Sequence, residues 1–238
     1  RLLRLINQIL DYRKIEVGQL KFEPSKGDIV DFIREEFLSF ATLANSKKID
    51  FRFRTSIDKL DIWFDPDKIE KIMFNLLSNA LKFTASNRSV TVEIRHNNYE
   101  KEKTIYFEQN ISYKVINWLE IIVSDTGVGI SKQNLNKVFD SFFQVQDHIN
   151  ASAGGTGIGL SVVKEMVKIH FGEITVESSV GIGTTFNVRI PIMNQEMIEG
   201  IINHGLINKS DFIKPFLTSD DEANIQKSKK RMKKEKDK

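Results

Sequence analysis

Apolar residues recur at helical spacing in four stretches of the chain, and each stretch predicts a helix with one buried face. The stretches are residues 1–14, residues 28 to about 46, the segment after Asp65-Pro66, and residues 160–169. Asp28 suits an N-cap and Pro66 suits a first helical turn, so two of these helices have predicted starting points. A helix as short as residues 1–14 is marginal alone, so its apolar stripe implies a partner helix.

Alternating or strongly apolar runs between these helices predict strands. The predicted strands are Phe51–Thr55, Asp61–Phe64, Ser89–Arg95, Trp118–Ser124, Glu173–Glu177 and Thr185–Ile190, with a further short strand at Leu20–Phe22. Residues 96–115 are polar and predict either an exposed loop or an extended hairpin. Pro191 ends the regular pattern, and residues 194–217 predict a partly helical extension.

The helix after Asp65-Pro66 carries two separate stripes at 100° per residue. One stripe is apolar, and the other contains Lys68, Lys71, Asn75, Asn79 and Lys82. The apolar stripe predicts packing on a core. The polar stripe predicts either a solvated face or a site, because amide oxygens can coordinate Mg²⁺ and an ammonium can meet phosphate oxygens.

Composition limits the class of protein. The 238 residues are 40% hydrophobic, with 17 phenylalanines and no cysteine, and no apolar run is long enough to span a bilayer. Because the first residue is Arg1 rather than Met, we expect a fragment of a longer protein, and we find no signal-peptide pattern at its start. Residues 227–238 carry a charge of +6 and the whole chain +3, so residues 1–226 carry −3, which does not indicate a nucleic-acid-binding core. We expect the basic tail to be a solvated, disordered end rather than a binding arm.

Two glycine-rich segments follow or precede regular elements. Trp118–Ser124 leads into residues 125–130 (DTGVGI), which would place a carboxylate at the sheet edge to accept a hydrogen bond from an exocyclic amine. Alone, this segment is equally compatible with a turn or a calcium loop. Residues 154–160 (GGTGIGL) run into the last predicted helix, whose N-terminal N–H groups suit phosphates, although a flexible loop with a helix cap is the alternative. The segment is neither a P-loop nor a dinucleotide-binding fingerprint.

In their order along the chain, these segments resemble the nucleotide-binding boxes of sensor histidine kinase catalytic domains, within the ATPase family shared with Hsp90, DNA gyrase B and MutL. The matched segments are residues 75–84 (NLLSNALKFT) for the N box, 125–130 (DTGVGI) for the G1 box, 139–144 (FDSFFQ) for the F box and 155–160 (GTGIGL) for the G2 box. Residues 5–18 resemble the end of the second helix of the dimerisation and phosphotransfer hairpin. Residues 176–186 resemble the closing strands of the family.

The resemblance implies an α+β fold, a two-layer α/β sandwich of the Bergerat type in which a mixed sheet has helices on one face. It implies three parts along the chain. Residues 1–24 would be the C-terminal end of the dimerisation and phosphotransfer helix with its connector, and residues 25–193 would be the ATP-binding catalytic domain. Residues 194–238 would be an extension that ends in the basic, disordered tail.

The resemblance also implies a role for each matched residue. Asn79 would coordinate Mg²⁺, Asn75 and Lys82 would lie beside the phosphates, and Asp125 would recognise the adenine amino group of ATP. The remaining matched residues would shape the pocket or let a lid of about residues 145–157 close over the phosphates: Gly127, Gly129, Gly155, Thr156, Gly157, Gly159 and Leu160.

The implied activity is that of a protein histidine kinase. Such an enzyme transfers the γ-phosphoryl group of ATP to a histidine on a helical hairpin, here largely absent from the chain, for relay to an aspartate in a response-regulator receiver domain. The implied partners are ATP with Mg²⁺, the hairpin, the receiver domain and a second copy in a homodimer, but no nucleic acid. The implied location is cytoplasmic, including the cytoplasmic part of a membrane-bound receptor. A nucleotide-binding regulatory module without phosphotransfer, and another ATPase or a serine kinase of the superfamily, remain alternatives.

Four features depart from the family pattern. The phosphoacceptor motif, a histidine followed by an acidic residue, is absent, and the histidines present lie in or after the nucleotide domain, so none is assigned a catalytic role. They are His96, His148, His170 and His204. Residues 150–153 (NASA) lack the Arg or Lys that the lid often carries, which weakens the expected grip on phosphate. Phe171 replaces a usual glycine, and Lys71 replaces a frequent Gln, so Lys71 would add positive charge to the site if it faces the nucleotide.

Overall fold

The structure is a computed structural model, and it describes residues 2–106, 112–144 and 156–203. In chain order its elements are α1 (Leu2–Glu16), β1 (Ser25–Asp28), α2 (Ile29–Ser39), α3 (Ala41–Ser46), β2 (Asp50–Thr55), β3 (Asp61–Phe64), α4 (Pro66–Phe83), β4 (Ser89–Tyr106), β5 (Ser112–Asp125), α5 (Lys132–Leu135), α6 (Gly159–Ile169), β6 (Glu173–Ser179), β7 (Gly183–Pro191) and α7 (Gln195–Asn203). Among these described helices, none is both long and apolar enough to cross a membrane.

Five strands form one mixed sheet in the order β2-β4-β5-β7-β6, and β1 pairs with β3 in a separate two-stranded sheet. β2 runs parallel to β4, and the other neighbours in the large sheet are antiparallel. Alternate residues of the central strands, such as Val92, Ile121 and Val188, are fully buried and pack with the apolar faces of α2, α4 and α6 in one hydrophobic core. The predicted α+β class, a mixed sheet covered by helices on one face, is confirmed.

Side chains satisfy terminal backbone groups at both ends of α4. The Asp65 side chain accepts a hydrogen bond from Lys68 N at 3.2 Å, and Pro66 occupies the first helical position. At the other end, Lys47 Nζ donates to Leu81 O at 2.7 Å. Between these ends the apolar stripe is buried, so the rotation of the helix, and with it the direction of its polar stripe, is fixed.

A buried histidine joins the C-terminal end of α6 to the N-terminal end of α4. His170 is fully buried, its Nε2 accepts a hydrogen bond from Asp65 N at 3.1 Å, and its Nδ1 lies 2.8 Å from Met166 O. Because Nε2 accepts, the ring proton is on Nδ1, which donates to the Met166 carbonyl. Burial lowers the pKa of His170 to about 4, so the ring is neutral at physiological pH.

The expected strand at Leu20–Phe22 is absent, and the strand near it lies later, at Ser25–Asp28. Phe22 is buried instead, edge-on against His170 and Phe171 with ring centroids 5.1 and 5.9 Å away. Phe22 therefore packs the connector between α1 and β1 against the domain and is not part of a strand.

The predicted helix over residues 28–46 is two helices, α2 and α3, that meet at Phe40. The predicted N-cap is present, since the Asp28 side chain accepts a hydrogen bond from Val30 N at 3.1 Å. Phe40 N donates to Phe37 O at 3.1 Å, a tightened turn, and the buried Phe40 ring packs 5.5 Å from the ring of Phe74. The break therefore places an aromatic ring in the core.

The described residues of the 96–115 segment, 96–106 and 112–115, lie in two paired strands and not in an open loop. β4 and β5 stay paired from Val90↔Asp125 to Asn98↔Asn117 and, after a register shift, from Lys103↔Val115 to Tyr106↔Ser112. Residues 107–111 lie outside the described residues. The two strands therefore continue well beyond the part of β5 that pairs with β7.

The first helix of the extension, α7, packs against the domain. α7 covers part of the predicted helical segment, while residues 204–238, which include the basic tail, lie outside the described residues. Met197, Ile198 and Ile201 of α7 form a second hydrophobic cluster with Phe22 and Trp118. Because Trp118 pairs with Pro191 at one end of the β5–β7 ladder and Asp125 pairs with Thr184 at the other, this cluster lies far along β5 from Asp125.

Candidate functional site

A cavity of about 330 Å³ lies between α4, the segment after β5 and the start of α6. It brings together most of the residues selected from the sequence: Asn75, Asn79, Lys82, Asp125, Gly129, Thr156, Gly157, Gly159 and Leu160. Gly127 contributes indirectly by bonding Asp125, and Gly155 lies outside the described residues. Segments that are distant in sequence therefore meet at one place.

α4 presents the C-terminal part of its polar stripe, Asn75, Asn79 and Lys82, to the cavity. Asn75 is buried, and its Nδ2 donates to Lys71 O at 2.8 Å. A Cβ atom at Gly159 would lie 2.7 Å from Asn75 Oδ1, so a side chain at this position would displace the Asn75 amide from its place in the cavity wall. Asn79 and Lys82 continue the same wall over the next two turns.

Asp125 ends β5 at the other end of the cavity. Its Oδ1 accepts a hydrogen bond from Gly127 N at 2.8 Å, and the backbone N–H of Thr184 also donates to the carboxyl group. Burial raises the pKa of Asp125, and these two backbone bonds partly offset that rise. A carboxylate ordered in this way still has lone pairs for a donor on a ligand.

The loop after Asp125 is held between α4 and the turn that joins β6 to β7. Val128 N donates to Phe83 O at 3.3 Å, and Gly181 N donates to Val128 O at 2.8 Å. Gly129 has a φ of +72°, and a Cβ atom there would lie 2.1 Å from Ser179 O. This position therefore requires glycine, which keeps the backbone of the loop along the cavity wall.

The start of α6 suits an anion. Gly159 and Leu160 are its first two residues and both line the cavity. The first N–H groups of a helix have no acceptor within it, so this end offers donors and the positive end of a dipole. Phe142 N donates to Gly157 O at 2.9 Å, which links the phenylalanine segment, residues 139–144, to the residues just before α6. Residues 145–155, most of the predicted lid, lie outside the described residues.

The cavity is also lined by apolar residues that the sequence does not single out, because apolar side chains are typical of a core. They are Ala80, Phe83, Val128, Ile130, Val138, Phe143 and Phe186. Phe83, near the end of α4, is half-buried, and its ring centroid lies 4.6 Å from Lys82 Nζ. Thr184 is also missed, although β7 pairs it with Asp125 in register. The available signal was the turn at residues 181–183 that sets this register.

Two lysines of the polar stripe are held away from the cavity. Lys68 Nζ lies 3.3 Å from Asp65 Oδ2, and Lys71 Nζ lies 3.0 Å from Asp11 Oδ1 and 3.1 Å from Asp67 Oδ2. Although burial opposes it, the bonds to Asp11 and Asp67 raise the pKa of Lys71. The sequence predicts that Lys71 adds positive charge to the site only if it faces the nucleotide. In this arrangement its ammonium is paired with Asp11 and Asp67 and does not line the cavity.

The remaining departures from the family pattern also have places in the structure. His96 is exposed on β4, and His170 is the buried link described above, so neither lies in the cavity. His148 and His204 lie outside the described residues. Phe171 adopts a φ of +59°, the conformation that a glycine would take at the end of α6, so its replacement of glycine affects a turn.

The donor set fits a divalent cation that arrives with phosphate. Within the ranges the structure describes, no cluster of three or more His, Cys, Asp or Glu side chains could hold a metal by itself. Asn79 places one amide side chain on the cavity wall. Mg²⁺ usually keeps several waters and takes its other ligands from one or two protein oxygens and from bound phosphates. The Asn79 amide on this wall can provide one such protein oxygen.

Comparisons with known proteins agree with this geometry. Residues 64–194 match the family described as "Histidine kinase-, DNA gyrase B-, and HSP90-like ATPase". Histidine kinase P4 of Formosa agariphila is 30% identical over 223 residues, which is 92% of this chain and 14% of that protein. This chain therefore spans about one seventh of the length of that curated relative.

Solved structures show the same fold. Full-length ShkA in complex with AMPPNP has a TM-score of 0.63 and 21% identity, over 81% of this chain and 36% of that chain. Histidine kinase ThkA in complex with the response regulator protein TrrA has a TM-score of 0.56 and 20% identity, over 81% of this chain and 49% of that chain. Since the family match covers more than half of the sequence, this chain belongs to the histidine kinase-, DNA gyrase B- and HSP90-like ATPases, and it is a catalytic domain of the histidine kinase type.

Proposed function

We propose that this domain binds ATP with Mg²⁺ in the cavity and transfers the γ-phosphoryl group to a histidine on a helical hairpin. The observation that carries the proposal is that Asp125 lines the cavity beside the C-terminal end of α4, whereas Asn75 lines it two turns earlier in that helix, about 12 Å along the axis, beside the start of α6. A ligand that satisfies both ends needs an exocyclic amine at one end and an anionic group at the other. ATP has both.

At the adenine end, the Asp125 carboxylate accepts a hydrogen bond from the amino group. Adenine presents a donor there, whereas guanine presents a carbonyl oxygen, so the same contact selects adenine. Gly127 and Gly129 keep the backbone beside the ring. Apolar side chains such as Phe83 and Phe186 exclude water and thereby strengthen the polar contact.

At the phosphate end, Asn79 contributes an oxygen to Mg²⁺, and Asn75 and Lys82 lie beside the phosphates. The family's glycine-rich box closes over them and offers backbone donors: Gly155, Thr156, Gly157, Gly159 and Leu160. Bound Mg²⁺ would neutralise charge on the phosphoryl oxygens. This inventory suits in-line transfer, which needs positioning and charge neutralisation more than covalent help.

In the same proposal, the chain has three parts within its parent protein. Residues 1–24 are the end of the hairpin and its connector, residues 25–193 are the catalytic domain, and residues 194–238 are an extension. The hairpin would carry the phosphoacceptor histidine and form a homodimer. An aspartate of a response regulator would then take the phosphoryl group in the cytoplasm. The complex of ThkA with TrrA supports a partner of this kind.

A transfer assay tests the proposed reaction. The chain is mixed with the hairpin of its parent protein and γ-labelled ATP, and we expect acid-labile label on the hairpin, because a phosphohistidine is hydrolysed in acid. The variant Asp125→Asn should lower the yield. Acid-stable label, or no label when the cavity is occupied by ATP, would contradict histidine kinase activity.

A regulatory module that binds nucleotide without transferring phosphate is the second candidate. It is favoured by the absence of Arg and Lys in residues 150–153 and by the pairing of Lys71 with Asp11. This candidate predicts nucleotide binding but no autophosphorylation in the full-length parent. An autophosphorylation assay of the parent therefore separates the two.

A further inference from the structure

The phosphate end of the cavity has little positive charge. Among the described residues that line the cavity, Lys82 is the only lysine or arginine. Residues 150–153 (NASA) add none. A nucleoside triphosphate carries several negative charges, so a further cation near Asn75 would strengthen its binding.

Lys71 is the nearest lysine to that end along α4. It lies one turn before Asn75, and Asn75 Nδ2 donates to Lys71 O at 2.8 Å. This hydrogen bond sets the Asn75 amide level with the backbone of Lys71, because helical side chains lean toward the N-terminus. The Lys71 ammonium, on its flexible four-carbon stem, can therefore approach the phosphate end by side-chain rotation alone.

In the structure, Lys71 is restrained by a carboxylate that belongs to a different part of the chain. Asp11 of α1 is buried, and its Oδ1 lies 3.0 Å from Lys71 Nζ. The second partner, Asp67, is in the same helix as Lys71 and is more than half exposed. The connector is fixed to the domain at Phe22 and Glu23, but residues 17–21 before them form no helix or strand, so α1 can move with Asp11 about this short segment.

We propose that Lys71 is a conditional phosphate ligand that Asp11 restrains while α1 is docked on the domain, where it packs against α6. When α1 undocks, the Asp67 carboxylate alone competes with the triphosphate, and Lys71 turns toward the phosphate end of the cavity. Asp11 then acts as an inhibitory contact. Through it, the position of the hairpin helix controls the grip on ATP. This inference rests on the proposed binding of ATP in the cavity.

The alternative is that the Asp11–Lys71 ion pair only anchors α1 to the domain. An anchor does not distinguish a triphosphate from a monophosphate, whereas a phosphate ligand does. The ratio of affinities for these two nucleotides therefore separates the alternatives.

Isothermal titration calorimetry of the full chain with Mg²⁺ and either a non-hydrolysable ATP analogue or AMP tests the proposal. We expect Asp11→Asn to raise affinity for the ATP analogue about threefold to tenfold, because one partly buried charge pair is released, while affinity for AMP changes less than about twofold. The double variant Asp11→Asn/Lys71→Gln should lose this gain. Asp31→Asn, an exposed carboxylate in α2, is the matched control and should match the wild type.

Each outcome decides one question. An unchanged preference for the ATP analogue in Asp11→Asn, or a gain that survives Lys71→Gln, overturns the proposal. If Asp11→Asn no longer binds AMP, its fold is lost, and Asp67→Asn, which weakens the other restraint on Lys71, is tested in its place for a smaller gain. A folded wild-type chain that binds neither nucleotide would contradict the proposed function instead.

Discussion

Asp125 combines burial with backbone donors, and this combination determines which ligand groups it can accept. The N–H groups of Gly127 and Thr184 already point at its carboxylate. A third donor can still be accommodated by a carboxylate, because both of its oxygens are acceptors. An amide in the same place has only one acceptor oxygen.

Asp125→Asn should therefore weaken ATP binding. The amide NH₂ group must face one of the donors around it, and an unsatisfied contact of this kind lowers affinity roughly tenfold to a hundredfold. Titration calorimetry with ATP measures the change, and Asp58→Asn, an exposed carboxylate between β2 and β3, is the matched control. Equal affinity in Asp125→Asn and wild type would remove Asp125 from the adenine contact.

At the scale of elements, the site depends on how α4 and α6 are held to each other. Close approach at Gly159 fixes them beside the cavity, and His170 fixes the C-terminal end of α6 to the N-cap of α4. The same Asp65 side chain accepts a hydrogen bond from Glu23 N at 2.8 Å, so the connector joins at this point. A neutral imidazole is required, because its Nε2 must accept from the Asp65 backbone.

Acidification should therefore destabilise the domain through His170. Its pKa is about 4 when folded and about 6.5 in an unfolded chain, so between these values the unfolded state binds a proton that the folded state does not. The free energy of unfolding should fall as pH drops through this window, at a rate of at most about 1.4 kcal/mol per pH unit from this group. Urea denaturation at several pH values measures the slope.

The variant His170→Gln isolates this contribution. It should be less stable than the wild type at pH 7, because the packed ring is lost, and its stability should depend less on pH between 4 and 6.5. His96→Gln changes an exposed histidine and should keep the wild-type slope. A wild-type slope in His170→Gln would show that other groups cause the pH dependence.

Across the whole molecule, local signals predict most of the elements and about half of the residues that line the cavity. Asp65 and Pro66 mark the start of α4, and its stripes give the face that reaches the cavity. The segment after β5 is recognisable in the sequence because Asp125 directly follows a predicted strand and precedes Gly127 and Gly129. β1 is not recognisable, because its four residues are polar and become a strand only by pairing with β3.

Long-range contacts account for what the sequence does not reveal. Thr184 joins the site only through its register with Asp125, and Phe83 leaves the core only because the cavity opens beside it. The ion pair of Lys71 with Asp11 joins residues 60 positions apart on different helices. Such contacts depend on the packing of elements, which periodicity does not specify.

This cavity should bind ATP with Mg²⁺ held in part by Asn79, and titration calorimetry with and without Mg²⁺ measures both properties. We expect the wild-type chain to bind ATP more tightly with Mg²⁺, and Asn79→Ala to lose most of that gain, at least about tenfold, while its affinity without Mg²⁺ is nearly unchanged. Asn136→Ala, an exposed asparagine after α5, should behave as the wild type. A full Mg²⁺-dependent gain in Asn79→Ala would show that Asn79 does not hold the ion, and no ATP binding by the folded wild-type chain would show that the cavity is not an ATP site.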